Sequence, residues 1–345
     1  MKDGNSTGDD QSGVGQQALS GTYAIDDQTN GHGTMNITGT VGATTTTYTI
    51  SFYIGLPRFL YALRIDQNVA GKNDGILIGT VNRLPPTPPF TNTSLGSAAF
   101  EISGITDSHS ANGQGHASAA VGVLVGGAQI QPPSTTNGFL QGIMDFNDGG
   151  SVAASPPISI TTNSASFTIA PIGRGTMSIT LPGPAGSVTY HFVFYLNGQG
   201  GGFLLEQPAS DGSNRGRSGS FFPQTVTSGP SGTLVASTEV ATAKSQNGLA
   251  VIPIAASGGS GNFQNAAEDL SVLGSVSTSP TVSATFSAAD ANNRGTISVT
   301  SGSLMGSATA AYYLVSDTEV IIIGTDGTNL EPQIILLTNT LPVNR

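Results

Sequence analysis

Apolar and polar residues alternate with a period of two along most of this 345-residue chain. Between residues 48 and 54, four large apolar side chains fall on one face, and Tyr53 shares the other with two hydroxyl residues. This spacing predicts half-buried antiparallel β-strands, because successive side chains of a strand point to opposite sides. Helical spacing is nearly absent, although residues 265–273 could form one short helix in place of a strand.

One eight-residue phrase occurs three times. It is Gly-His-Gly-Thr-Met-Asn-Ile-Thr at residues 31–38, Gly-Arg-Gly-Thr-Met-Ser-Ile-Thr at 173–180 and Asn-Arg-Gly-Thr-Ile-Ser-Val-Thr at 293–300. Each copy opens with Gly or Asn, which tolerate the positive φ of a tight turn, and continues as an alternating strand. The phrase therefore marks the same turn and strand in three repeated blocks.

The blocks follow a regular order. A block of five strand-like runs (B) and a block of three (A) alternate as B-A-B-A-B. We predict four segments: a disordered tether at 1–18, a partial five-strand unit at 19–84, a complete eight-strand unit at 90–224 and a degenerate eight-strand unit at 228–345. The proline-rich stretch Pro85–Pro89 cannot lie inside a sheet and is the clearest boundary.

The fold class predicted from these runs is all-β, built of antiparallel barrel-like or sandwich units of about eight short strands. Closure into a barrel, or stacking of two sheets, hides the edges that an open eight-stranded sheet would expose. The connections are mostly hairpin-sized, which favours an up-and-down barrel over a Greek-key sandwich.

Composition narrows the classes of function. Only 9% of residues are charged, the net charge is −10, and there is no cysteine. A basic stripe for nucleic acid is missing, as are disulfides, thiolate nucleophiles and a transmembrane segment of about 20 apolar residues. The polar start lacks the apolar core of a signal peptide. We expect a bacterial protein at the outer cell surface or outside the cell, from which a signal sequence has been removed.

Two groups of residues are candidate sites. Asp145, Asn147 and Asp148 lie in an acidic turn that could offer oxygen ligands to Ca²⁺, although the same letters are typical of a hairpin turn. The second group comprises a tyrosine at the matching place in each of the three B blocks, Tyr53, Tyr195 and Tyr313, and an arginine at the matching place in two of them, Arg174 and Arg294, where the first block has His32. These side chains could bind a sugar ring or a protein partner, or pack against neighbouring strands.

Residues 138–150, together with the phrases at 166–169, 173–176 and 192–196, resemble a repeat family of exported, often lipidated proteins of acidobacterial type. The resemblance covers most of residues 90–224, much of 284–326, and only the B block at 19–66. It implies export and repetition, and it brings no catalytic residue and no cofactor. The second A block departs from the pattern, since it lacks the Asn-Asp-Gly-Gly turn.

We therefore expect a non-catalytic cell-surface β-repeat protein with a structural or interaction role, partnered by an extracellular glycan, another surface protein or its own open strand edges. One alternative is a barrel that binds a glycan or small ligand at a mouth formed by Tyr195 and the loop 197–202. Another is an extracellular polymer hydrolase, which would need two facing carboxylates that the sequence does not pair.

Overall fold

A computed structural model describes most of the chain. The described residues are 2–8, 17–41, 44–54, 59–65, 78–82, 89–106, 116–128, 138–152, 156–183, 186–207, 215–227, 229, 232–238, 247–257, 260–272, 275–302, 304, 306–327 and 332–338. Apart from Pro89, the predicted boundary Pro85–Pro89 lies outside them. The chain divides into two compact units after residue 87.

The first unit is a six-stranded antiparallel sheet in which each strand pairs with the next in sequence. Its strands are β1 (Lys2–Gly8), β2 (Gln17–Asp27), β3 (His32–Val41), β4 (Thr44–Ile54), β5 (Phe59–Arg64) and β6 (Ile78–Asn82). Phe52 is buried on one face of this sheet, while Tyr53 is exposed on the other.

The second unit begins with a barrel that we call the middle barrel. Its strands are β7 (Ser97–Thr106), β8 (His116–Ala128), β9 (Gly138–Asp148), β10 (Ser151–Val152), β11 (Ile158–Ile160), β12 (Ala165–Ile169), β13 (Arg174–Gly183), β14 (Gly186–Leu196), β15 (Gly202–Glu206) and β16 (Arg215–Pro223). Pairing runs from β9 through β12 to β16, then to β7 and β8, and returns to β9. This closed circuit of eight strands leaves the short β10 and β11 as additions to β9. A 3₁₀ turn at Asn92–Ser94 precedes the barrel.

The C-terminal barrel closes with eight strands in sequence order. They are β17 (Gly232–Thr238), β18 (Asn247–Ser257), β19 (Ser260–Val272), β20 (Ser275–Phe286), β21 (Arg294–Ser301), β22 (Thr309–Ser316), β23 (Glu319–Gly324) and β24 (Ile334–Thr338). Each barrel has its own core inside the circuit of strands.

The predicted all-β class of antiparallel barrel-like units is confirmed, and one detail of the prediction is wrong. Residues 2–8 of the predicted tether form β1, which pairs with residues 17–23. Their polar composition does not prevent this, because a strand ladder is made by backbone groups that every residue except proline carries. Residues 265–272, for which a short helix was the alternative to the predicted strand, lie in the strand β19, where Asn265 has a φ of 52° beside a register shift. Residue 273 lies outside the described residues.

The middle glycine of the repeated phrase supports a ring from the next strand. Gly33 pairs with Phe52, Gly175 with Phe194 and Gly295 with Tyr312, so the register is the same in all three repeats. A Cβ built on Gly175 would lie 2.1 Å from Cζ of Phe194, and one on Gly33 would lie 2.3 Å from Cζ of Phe52. The ring covers the space where a side chain would stand. The repeated glycine is therefore a packing requirement.

Gly175→Ala is expected to lower the free energy of unfolding by about 1–3 kcal/mol, because the added methyl displaces Phe194 from a filled core. In an uncrowded strand the same change would raise it by about 0.5–1 kcal/mol. Urea unfolding of this variant and of Thr176→Ala, an exposed neighbour, measures the difference. A Gly175→Ala chain as stable as the parent would contradict the packing argument.

Candidate functional site

A fully buried carboxylate lies between the two barrels of the second unit. Asp145 stands on the outer side of β9, opposite Val121 of β8, and is fully buried. Its oxygens accept hydrogen bonds from the C-terminal barrel: Arg294 donates from Nε to Oδ2 at 2.6 Å and from Nη2 to Oδ1 at 2.9 Å. This two-pronged contact joins residues 149 positions apart in the sequence.

A tyrosine completes the contact. The hydroxyl of Tyr313 donates to Oδ2 of Asp145 at 2.6 Å. Tyr313 pairs directly with Arg294 in the β21–β22 ladder, so one register position supplies both donors. The carboxylate of Asp145 thus receives three charge-assisted hydrogen bonds, which are stronger than bonds between neutral groups.

The turn before β21 holds Arg294 in place. Asn293 adopts a φ of 59°, which asparagine tolerates better than most residues. Oδ1 of Asp290 accepts hydrogen bonds from the backbone N–H groups of Asn292 at 2.8 Å and of Arg294 at 3.0 Å. The repeated turn, predicted from Asn293-Arg294-Gly295, therefore fixes the start of the strand that carries the cation.

Apolar side chains surround this polar contact and form a third core, shared by the two barrels. The outer faces of β7 and β8 contribute Ala99, Ala119, Val121 and Val123. The outer faces of β22, β23 and β24 contribute Ala311, Tyr313, Val315, Ile321, Ile323, Ile334 and Leu336. Strands β23 and β24 are therefore buried on both faces.

The segment that connects the two barrels is hydrogen-bonded to the C-terminal barrel, at the strand β22. Nε2 of Gln224 donates to the carbonyl of Leu314 at 2.8 Å, and the backbone N–H of Thr225 donates to the carbonyl of Val315 at 2.8 Å. The carboxylate of Asp317 accepts from the N–H of Thr227 at 2.8 Å and from its hydroxyl. These hydrogen bonds hold the connecting segment against the C-terminal end of β22 and the turn that follows it.

Burial and the carboxylate of Asp145 shift the pKa values of Tyr313 and Arg294. Burial raises the pKa of Tyr313 far above its ordinary value of 10, and the charge of Asp145 and its hydrogen bond raise it further. Burial by itself would lower the pKa of Arg294, but the hydrogen bond and charge of Asp145 outweigh it and raise the pKa above the ordinary value. Both groups therefore keep their protons, and the contact stays assembled at neutral pH.

In the structure, the three residues predicted to bind Ca²⁺ are not arranged as a cation site. Asp145 accepts hydrogen bonds from Arg294 and Tyr313, so a positive side chain already stands where an ion would be. Asp148 contacts Nε2 of His116 at 2.9 Å. Oδ1 of Asn147 accepts from the N–H of Gly150 at 2.8 Å, as in a turn. Among the described residues, no group of three or more histidine, aspartate or glutamate side chains could hold a metal ion.

The tyrosine and arginine candidates do not form a single site. Tyr313 and Arg294 meet at the contact between the barrels, and their counterparts Tyr195 and Arg174 pair in the same register on the middle barrel. In the first unit Tyr53 pairs with His32, and their ring centroids lie 4.9 Å apart. The repeat thus places a tyrosine beside an arginine or a histidine in each B block.

A second buried ion pair was not predicted from the sequence. Arg217 donates from Nε and Nη2 to the two oxygens of Glu206, at 2.6 and 2.8 Å, and lies over the ring of Tyr190 at 5.0 Å. Burial would lower the pKa of Arg217, but the hydrogen bond and charge of Glu206 outweigh it and raise the pKa. Both residues occupy inward positions in the alternation of β15 and β16. A charge at such a position was the signal that could have found them.

Arg217 also lines a cavity in the middle barrel. The cavity has a volume of about 80 Å³ and is walled by apolar side chains that include Ile102, Met144, Ile179, Leu181, Val188 and Phe192. Leu181 and Val188 pair near the end of β13 and β14 that is remote from residues 197–202. The predicted mouth at Tyr195 is therefore not where this cavity lies. Its volume is about half that of a ~150 Å³ cavity that holds benzene, which is too small for a sugar ring.

Comparisons with known proteins add no relatives: no family model, curated protein or solved structure matches this sequence. Within the described part of the chain, no helix is both long and apolar enough to cross a bilayer.

Asp145→Asn is expected to lower the free energy of unfolding by about 3 kcal/mol, because it leaves the guanidinium of Arg294 buried without its counter-charge. Adding Arg294→Met should recover at least half of that loss, since the uncompensated charge is then removed. Urea unfolding of the two single variants and the double variant gives the coupling energy. Asp26→Asn, an exposed carboxylate, is the control. Additive effects of the two changes would contradict the proposed ion pair.

Alkaline pH should weaken the contact through Tyr313. Its pKa is raised in the folded state, so the unfolded chain releases the tyrosine proton first, near pH 10. The stability from this group is complete below pH 10 and declines as the pH rises, by about 1.4 kcal/mol per pH unit. Urea unfolding between pH 9 and 11.5 should show this extra slope in the parent chain and not in Tyr313→Phe. Equal slopes would show that the pKa of Tyr313 is not raised in the folded chain.

Proposed function

We propose that this chain is a non-catalytic, exported β-repeat protein with a structural or interaction role at the bacterial cell surface. The observation that carries the proposal is the contact of Asp145 with Arg294 and Tyr313, which joins two barrels through a buried charge and a shared apolar core. A residue of one repeat is thereby used to bind the next repeat.

The buried charged side chains form contacts within the protein, and this supports a structural role. Asp145 holds the neighbouring barrel, and Glu206 and Arg217 satisfy each other inside the middle barrel. The small cavity in that barrel favours this role over the binding of a glycan or another bulky ligand. Export to the surface rests on the low charge, the threonine-rich strands and the resemblance of residues 90–224 to exported repeats.

A protein that acts as a structural element needs a stiff joint between its barrels. Because the chain contains no cysteine, spin labels can be attached at Thr176→Cys and Ser298→Cys, which replace exposed residues of the two barrels. Double electron–electron resonance should give one narrow distance distribution. Asp145→Ala with Tyr313→Phe should broaden it, because the barrels then lose the polar contact that fixes their orientation.

Glu206→Gln is the matched control, since it disturbs a buried ion pair inside one barrel and leaves the joint between the barrels intact. A distribution that is already broad in the labelled parent chain would contradict the structural role. A distribution that broadens equally in the control would indicate that the joint does not depend on Asp145.

A further inference from the structure

One face of the first unit is the counterpart of a barrel core. Gly33 and the ring of Phe52 lie on this face, and in both barrels the matching ring lies in the core inside the circuit of strands. Cross-strand pairs extend the face, because directly opposite residues of a sheet point to the same side. We call it the inner face, and its members include Tyr23, Ile25, Met35, Ile50, Phe52, Ile54 and Leu60.

In the two barrels the residues at equivalent places are buried. Ile54, Leu196 and Leu314 are equivalent, because the backbone N–H of each donates to the carbonyl of the residue that opens the repeated phrase. Leu196 and Leu314 are 3% and 4% exposed, whereas Ile54 is 41% exposed. Tyr23 and Phe167 also match, since each pairs with the methionine of its phrase, and they are 41% and 2% exposed. The inner face is thus a core face without its cover.

Exposure of the opposite, outer face is common to the repeat. Tyr61 and Phe203 occupy equivalent outward places, because each pairs with the tyrosine that follows the inward ring. They are 48% and 40% exposed, so this face meets solvent on a closed barrel as well. The inner face differs, because the barrels bury it at the positions just compared. The comparison of copies therefore singles out the inner face of the first unit.

In each barrel an A block of three strands covers this face. Inward residues of β7–β9, such as Leu124 and Leu140, share one core with the inward residues of β12–β16. Strands β17–β19 do the same in the C-terminal barrel, so both A blocks already belong to barrels. In the first unit, β1 pairs with the edge of β2, and Phe52 is the one buried apolar side chain among the described residues. The missing cover is a second sheet.

We propose that the inner faces of two copies of this chain pack against each other as a two-sheet sandwich. Two antiparallel sheets pack face to face around a shared core about 10 Å thick. A second copy brings an identical uncovered face, so one contact covers both faces at once. This inference rests on the proposed interaction role and names its partner.

The area of the face is close to what a stable dimer needs. A sheet of six strands is about 29 Å wide, and a strand of about seven residues is about 23 Å long. Each inner face therefore offers roughly 650 Å², compared with about 800 Å² per partner in a standard stable interface.

The distribution of charge also fits a contact between identical faces. The chain has a net charge of −10, yet the members of the inner face named above are uncharged. Asp26 follows Ile25 in β2 and therefore belongs to the outer face. Arg64, the last residue of β5, pairs with Ile50 and stands at the rim of the apolar patch. An apolar centre with a polar rim is typical of protein interfaces.

The proposed contact is isologous, because the same face serves in both copies. Such a contact closes on itself, so association stops at the dimer. It uses the face of the sheet and leaves the strand edges as they are.

Sedimentation of the full chain tests the proposal. The parent should pass from monomer to dimer between about 1 µM and 1 mM and form nothing larger. Tyr23→Ser with Ile54→Ser makes two inner-face positions polar and keeps the backbone unchanged. Since each change occurs twice in the dimer, the dissociation constant should rise about 100-fold. The matched control is Tyr53→Ser with Leu63→Ser, which changes two exposed residues of the outer face and should dimerise like the parent.

A second measurement does not depend on the folding of the serine variants. The chain contains no tryptophan, so Ile54→Trp places a single fluorescent reporter on the inner face and Tyr53→Trp places one on the outer face. The emission of Ile54→Trp should shift to shorter wavelengths as the dimer forms, because the indole leaves water. The emission of Tyr53→Trp should not change with protein concentration.

A parent chain that stays monomeric at about 1 mM overturns the proposal. Dimers that persist in Tyr23→Ser with Ile54→Ser would indicate pairing through strand edges, and they overturn it too. An Ile54→Trp emission that is already shifted in the monomer would show that the chain covers its own inner face, with the same consequence. The spin-label distance between the barrels is independent of these results, so the structural role can stand when this inference fails.

Discussion

A carboxylate removed from water is the constraint on which the second unit depends. Asp145 lies on the outside of its own barrel and is nevertheless fully buried, so its charge must be satisfied by another part of the chain. Arg294 and Tyr313 supply that partner from one register position of the C-terminal barrel. Removal of either side leaves a buried group unsatisfied. The barrels are therefore held in one arrangement, whereas an apolar contact alone would tolerate sliding.

Two neighbouring positions of the repeated phrase, the glycine and the residue before it, meet different structural requirements. The glycine of each phrase faces inward and accommodates a ring, so it is the same in all three copies. The residue before it faces outward, and it is His32, Arg174 or Arg294 according to the copy. Inward positions are fixed by the packing of the barrel or sheet. Outward positions are adjusted to whatever each repeat contacts, and the strand that carries them remains unchanged.

Much of the fold could be predicted because period-two alternation reports directly on strands, and the repeated phrase reports on their order. The partner of Arg294 could not be predicted from the sequence. Alternation shows to which side of a strand a side chain points, but not which neighbouring residue covers it. One signal was present: residues 320–323 and 334–337 are apolar on both faces, as expected of strands buried on both sides. The strand at residues 2–8 could not be predicted either, since its pairing depends on backbone groups.

The central claim is that the two barrels form one cooperative unit through the contact at Asp145. Differential scanning calorimetry of the full chain tests it most directly, after any separate transition of the first unit has been assigned. We predict a single transition for residues 88–342, with a calorimetric enthalpy equal to the van't Hoff enthalpy. Two resolved transitions, each with the enthalpy of one barrel, would contradict the account, because the barrels would then be neighbours that fold independently.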